Sequence, residues 1–268
     1  MITTGEVDKT AARLVLRPGQ IEKDYILGWI LKGISENKFL KEKLIFKGGT
    51  AIRKIYVQDY RLSEDLDFTY IDECLDDSEI KKQFELVCEW IKNESRIELS
   101  IENENINVHG NYSFYLEYKG PLGGTKNSVK VDVSCDEKIC DATEEMEIKN
   151  EYSDLTESFT IKSYTLNEII SEKMRSLMQR TAPRDLYDLW YFFEIENKDI
   201  IDFIPTFKEK AEYENIKSGD FANVLSNKKN KLKIAWSNQL NNQIKDVPEF
   251  EEVWRTLNKH LRKFDKNI

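Results

Sequence analysis

Two segments of the chain alternate polar and apolar residues with period two, and they constrain the fold more than any other feature. Asp65-Leu66-Asp67-Phe68-Thr69-Tyr70 and Ser128-Val129-Lys130-Val131-Asp132-Val133-Ser134 both read as strands with one face on a core and the other open. Residues two apart share a face, so Asp65 and Asp67 project together, about 7 Å apart at their Cα atoms, while Leu66 and Phe68 face inward. Asp132 follows the same design on the second strand, where Val131 and Val133 take one face and Lys130, Asp132 and Ser134 the other. If the two strands are neighbours, three carboxylates converge. Paired carboxylates repel one another unless a cation lies between them.

A short apolar run, Leu44-Ile45-Phe46, leads into Lys47-Gly48-Gly49-Thr50 and then Ala51-Ile52-Arg53-Lys54-Ile55-Tyr56, which reads as strand, glycine turn, helix. Exposed N–H groups and a hydroxyl at such a turn suit phosphate oxygens. The sequence contains neither a Walker A loop nor a Gly-x-Gly-x-x-Gly fingerprint. Gly-Gly-Thr followed by Asp-x-Asp and later by a lone strand aspartate points to a site that handles nucleotide phosphates with metal ions. Oxygen ligands on a rigid sheet suit Mg²⁺, with Mn²⁺ as its substitute.

Other elements follow the same rules. Residues 21–34 are apolar nearly all round, as in a helix buried on most sides, and residues 78–94 form an amphipathic helix. Further strands are expected at 96–102 and 112–118, and residues 137–158 read as an acidic surface excursion. From residue 166 the pattern turns helical, over 166–181, 184–196 and later segments broken by Pro205 and Pro248. The expected organisation is an α/β (α+β) domain over 1–165 and a helical domain over 166–268.

In the helix at 166–181, Ile169, Ile170 and Leu177 form the apolar stripe, and Lys173 and Arg180 fall inside it. Two readings fit an inward lysine: a point charge for a triphosphate, or a structural ion pair with Asp185 or Asp188. Asp185 occupies the angle of Leu189 and Phe192, which places it inside as well.

Charge and cysteine usage set limits. The formal net charge is −9, and it is uneven: residues 1–165 carry a net −10 and residues 166–268 a net +1. An acidic surface opposes indiscriminate binding to nucleic acid. Any RNA contact is expected at Lys228, Lys229, Lys231 and Lys233 or at Arg255, Lys259, Arg262, Lys263 and Lys266, residues that equally suit a solvated helix face. The cysteines, Cys74, Cys88, Cys135 and Cys140, have no Cys-x-x-Cys spacing and His109 and His260 are far apart, which argues against zinc and for reduced thiols. No run of apolar residues is long enough to span a bilayer, so a cytoplasmic protein without membrane contact is expected.

Taken in order, Ile21-Glu22-Lys23-Asp24-Tyr25, Phe46-Lys47-Gly48-Gly49-Thr50-Ala51, Ser63-Glu64-Asp65-Leu66-Asp67-Phe68, Lys130-Val131-Asp132-Val133, Glu172-Lys173-Met174-Arg175-Ser176-Leu177 and Arg184-Asp185-Leu186-Tyr187-Asp188-Leu189 resemble the AbiEii/AbiGii toxin-like nucleotidyltransferases, the enzyme halves of bacterial toxin–antitoxin and phage-defence pairs. The resemblance implies a polymerase-β-like nucleotidyltransferase core with a mixed sheet, joined to a helical domain. It implies Mg²⁺ dependence, transfer from a nucleoside triphosphate to an acceptor such as a tRNA 3′ end, and a cognate antitoxin. By the family pattern Gly48, Gly49 and Thr50 lie at the nucleotide phosphates, Ser63, Asp65, Asp67 and Asp132 at the metal and reacting phosphate, and Lys173 at the triphosphate, with Asp185 completing the site. Thr50 departs from the Gly-Ser of many nucleotidyltransferases by a methyl group. The alternatives are a toxin that binds nucleotide or RNA without catalysis and a small-molecule nucleotidyltransferase.

Overall fold

Alternation along the strands and apolar stripes along the helices decide how the computed structural model is built, and it describes residues 1–58, 60–72, 76–106 and 111–268. Cys74 and His109 lie outside the described residues. Seven strands form one mixed sheet: β1 (Leu44–Lys47), β2 (Asp65–Tyr70), β3 (Glu98–Ile106), β4 (Tyr112–Lys119), β5 (Asn127–Ser134), β6 (Glu144–Glu147) and β7 (Thr160–Ser163), in the order β3-β4-β5-β2-β1-β7-β6. β2 runs antiparallel to β1 and parallel to β5. Because Leu66, Phe68, Val129, Val131, Val133, Phe114 and Leu116 are fully or almost fully buried while the residues between them are partly open, the centre of the sheet has one apolar and one polar face.

The helices before and after β2 supply the rest of this unit. α1 (Thr4–Leu14) is capped by Thr3, α2 (Pro18–Glu36) is buried along most of its length, α3 (Lys38–Lys43) leads into β1, and α5 (Asp77–Ser95) is capped by Asp76. Between β1 and β2 lies a single turn, α4 (Gly48–Ala51), which widens into a π-helical turn at Ile52–Tyr56. The expected helix at 21–34 is longer at both ends, and the first strand after α5 starts at Glu98 rather than 96. The acidic stretch 137–158 is not only a surface excursion. It contains β6, which pairs with β7, and it buries Ile148, Tyr152 and Leu155.

The chain divides into two compact units, Met1–Glu137 with Thr143–Tyr164, and Lys138–Ala142 with Thr165–Ile268. In the second, α6 (Leu166–Gln179), α7 (Pro183–Trp190), α8 (Ile204–Tyr213), α9 (Phe221–Leu240) and α10 (Phe250–Asp265) enclose an aromatic core in which the rings of Phe207, Phe221 and Phe264 lie 5.2–5.7 Å apart. Segment 138–142 is fastened to this unit by the buried Glu168, whose carboxylate accepts from the Asp141 N–H at 2.8 Å and pairs with Lys210 at 2.5 Å. Among the described residues no helix is long and apolar enough to cross a membrane.

Candidate active site

The glycine turn is pressed against the acidic strand. Gly48 has φ +80°, and a Cβ placed on it would lie 2.3 Å from Asp67 Oδ2, so only glycine fits both the backbone and the carboxylate. A Cβ on Gly49 would lie 3.0 Å from Ser63 Oγ and 3.1 Å from Arg61 Nη2. The pair of glycines therefore lets a carboxylate, a hydroxyl and a guanidinium approach the main chain of one turn. Thr50 is 1% exposed, and its hydroxyl donates to the Asp65 carbonyl at 2.5 Å. The single proton of that hydroxyl is thereby engaged in tying the turn to β2. The π-helical turn that follows, closed by Val57 N–H to Ile52 O, is the irregularity that often marks functional turns.

Asp65 and Asp67 are half-buried and separated by the fully buried Leu66, as the alternation requires. β2 and β5 are neighbours. In their register Asp65 faces Lys130 and Asp67 faces Asp132, and across the other edge of β2 Asp67 faces Lys47. Register partners project to the same side, so Lys47, Asp67 and Asp132 form one row on the polar face.

The cations beside these acids already have partners. Lys47, 7% exposed, forms an ion pair with Glu137, and Glu137 also accepts from Ser134 Oγ at 2.7 Å and Thr69 Oγ1 at 3.3 Å. Lys130 Nζ lies 2.7 Å from Asp132 Oδ2. The expectation of three convergent carboxylates is thereby altered: the strand order brings Asp132 beside Asp67, but a lysine holds its carboxylate. Among the described residues no group of three or more His, Cys, Asp or Glu side chains is gathered to hold a metal ion. The donors that are present are all carboxylate oxygens on a rigid sheet. That chemistry suits a hard divalent cation bound by one or two carboxylates plus substrate phosphates.

Arg61 was not among the residues that the sequence pointed to. It is 5% exposed, its guanidinium lies beside Gly49 and Ser63, and Nη1 donates to the Leu62 carbonyl at 3.3 Å. The available signal was a cation two residues before Ser63 and four before the first aspartate. A buried guanidinium at a glycine turn offers planar donors to a phosphate.

In the second unit the structure brings Lys173 and Asp185 together. Lys173 Nζ lies 3.1 Å from Asp185 Oδ1 and 2.7 Å from Asp188 Oδ2, with all three side chains at least nine-tenths buried. Arg180 Nη2 adds a contact of 2.8 Å to Asp185. The inward lysine thus forms the ion pair that the sequence allowed, with both Asp185 and Asp188. Arg180 itself is exposed, because α6 ends at Gln179 and Arg180 adopts an extended conformation that removes it from the helical stripe. Three basic residues of α9 are also engaged: Lys228 donates to the carbonyls of Leu177, Met178 and Arg180, and Lys229 and Lys233 both pair with Glu251.

The fold is shared with solved structures. MenT4, a nucleotidyltransferase toxin from Mycobacterium tuberculosis H37Rv, aligns with a TM-score of 0.64 at 16% identity, covering 97% of this chain and 88% of that one. JHP933 from Helicobacter pylori aligns with a TM-score of 0.59 at 17% identity, covering 94% of each chain. At these identities the likeness is one of fold. No curated protein matches the sequence significantly. Residues 29–260, which contain the glycine turn, the acidic strand and the Lys173–Asp185 pair, match the family described as nucleotidyl transferase AbiEii toxin of Type IV toxin–antitoxin systems, and the chain belongs to that family of nucleotidyltransferase toxins.

Proposed function

We propose that this nucleotidyltransferase toxin is metal-dependent and transfers a nucleotide from a nucleoside triphosphate to an RNA hydroxyl, that of a tRNA 3′ end, under the control of a cognate antitoxin. The observation that carries the reading is the contact between the Gly48 turn and the Asp67 carboxylate, which brings the main chain of a glycine turn directly beside paired acids. Asp65 and Asp67 would hold Mg²⁺ or Mn²⁺, with Asp132 as a further ligand from the adjoining strand. A bound divalent cation would supply charge neutralisation for the phosphates and acidify the attacking hydroxyl.

The chain's own groups do the remaining work. Main-chain N–H groups of the Gly48-Gly49 turn, the Ser63 hydroxyl and the Arg61 guanidinium orient the phosphates, and their preorganised dipoles favour the charge that develops on transfer. The acceptor hydroxyl gives its proton to solvent as its oxygen bonds to the α-phosphorus, the bond from that phosphorus to the bridging β-phosphate oxygen breaks, and pyrophosphate leaves. Thr50 acts at one remove, by fixing the turn to the strand. In this reading the Lys173–Asp185–Asp188 cluster fixes α6 against α7.

The test is pyrophosphate release from each nucleoside triphosphate with total RNA and Mg²⁺. Asp65→Asn combined with Asp67→Asn should lower it by at least about 10³-fold, the scale of losing the electrostatic centre of a phosphoryl-transfer site. Release at the wild-type rate from that double variant would overturn the assignment.

A further inference from the structure

Lys130, on the polar face of the sheet, is a cation to which the reading above gives no task. Lys130 stands opposite Asp65 in the β2–β5 register and two residues before Asp132, so its side chain leaves β5 on the acid face. Instead of extending into water it folds along its own strand, and Nζ comes to 2.7 Å from Asp132 Oδ2. The pair is only partly open, with side-chain exposures of 35% and 38%. Its neighbours across β4 are neutral: Tyr115 faces Lys130 and Ser113 faces Asp132. Lys130 thus directs the positive charge of an ordinary lysine at the acids from within the sheet face.

A positive charge bound to one carboxylate competes with any other cation that uses it. We propose that Lys130 is a built-in competitor for the divalent cation: it holds Asp132, and it must be displaced before Asp132 can join Asp65 and Asp67. The consequence is weak binding of metal alone and stronger binding of metal that arrives with a triphosphate, whose anionic oxygens replace the lost carboxylate and can accept the released ammonium. This inference rests on the placement of the cation at Asp65 and Asp67 proposed above.

The experiment is titration of the full chain with Mn²⁺ in the absence of nucleotide, with free Mn²⁺ followed by its electron paramagnetic resonance signal. Lys130→Gln should bind Mn²⁺ about three- to tenfold more tightly than wild type, the effect of removing one partly screened charge. Lys130→Met should do the same, and Lys130→Arg should stay near wild type because the charge remains. In an Asp132→Asn background the gain from Lys130→Gln should disappear. Unchanged or weaker binding in both Lys130→Gln and Lys130→Met overturns the inference alone, provided that the Asp65→Asn, Asp67→Asn variant has lost Mn²⁺ binding. Wild-type Mn²⁺ binding by that double variant would instead overturn the metal placement, and the inference with it.

Discussion

Gly48 answers two demands at one position. Its φ of +80° strains any residue with a Cβ, and that Cβ would stand 2.3 Å from Asp67 Oδ2. Gly48→Ala should therefore cost roughly 1–2 kcal/mol of stability from the backbone, and it should push the Asp67 carboxylate out of place. Transfer activity should fall about a hundredfold or more, because small misplacements of reacting groups are expensive. Steady-state rates beside a denaturation curve separate the two effects; full activity in Gly48→Ala would show that Asp67 need not touch the turn. The glycine pair and the aspartate pair were both legible in the sequence, since each is a local pattern. Their contact was not, because it joins a turn after β1 to β2 through strand pairing that no local pattern reveals. Arg61 escaped for a related reason: an arginine in a loop reads as solvent-exposed until the fold buries it.

At the scale of elements, Asp24 links three pieces of the first unit. From α2 its carboxylate accepts from Arg53 Nε at 3.0 Å and Lys54 Nζ at 2.8 Å, both on the π-helical turn, and from the Tyr152 hydroxyl at 2.8 Å. Burial alone would raise the carboxyl, but the Lys54 and Arg53 charges outweigh it and hold Asp24 well below its ordinary value of 3.8. A depressed folded-state pKa means that the stabilisation is present above pH 3.8 and is lost as the pH falls below it. Asp24→Ala should cost about 3–5 kcal/mol at neutral pH by leaving buried cations uncompensated. The deficit relative to wild type should shrink as the pH is lowered through 3.8 and beyond, which urea denaturation at several pH values will read. A constant deficit across that range would mean that packing, not charge, is lost. Strict alternation made β2 and β5 legible, and the acidic, four-residue β6 was not, because an edge strand with Glu at 144, 145 and 147 has no period to read. α1 was missed as well; it buries only Val7 and Ala11, so its apolar stripe is thin.

Across the whole molecule, a net charge of −9 weighs against binding RNA by its backbone alone. The lysines that the sequence offered for such contact include Lys228, Lys229 and Lys233, and these already hold helix-end carbonyls and Glu251. An acceptor is accordingly expected to be selected by its reactive end rather than by a long electrostatic track. The change from mixed α/β to helical was legible from the change of period, whereas the return of residues 138–142 to the helical unit was not, since it depends on the buried Glu168–Lys210 pair. The most direct measurement of the central claim is incubation of the purified chain with total bacterial tRNA, Mg²⁺ and each α-³²P-labelled nucleoside triphosphate in turn. Label on tRNA with at least one nucleotide, lost when the 3′ hydroxyl is oxidised with periodate and absent with the Asp65→Asn, Asp67→Asn variant, is the predicted result. Absence of label on tRNA with all four nucleotides, or equal labelling by the double variant, would contradict it.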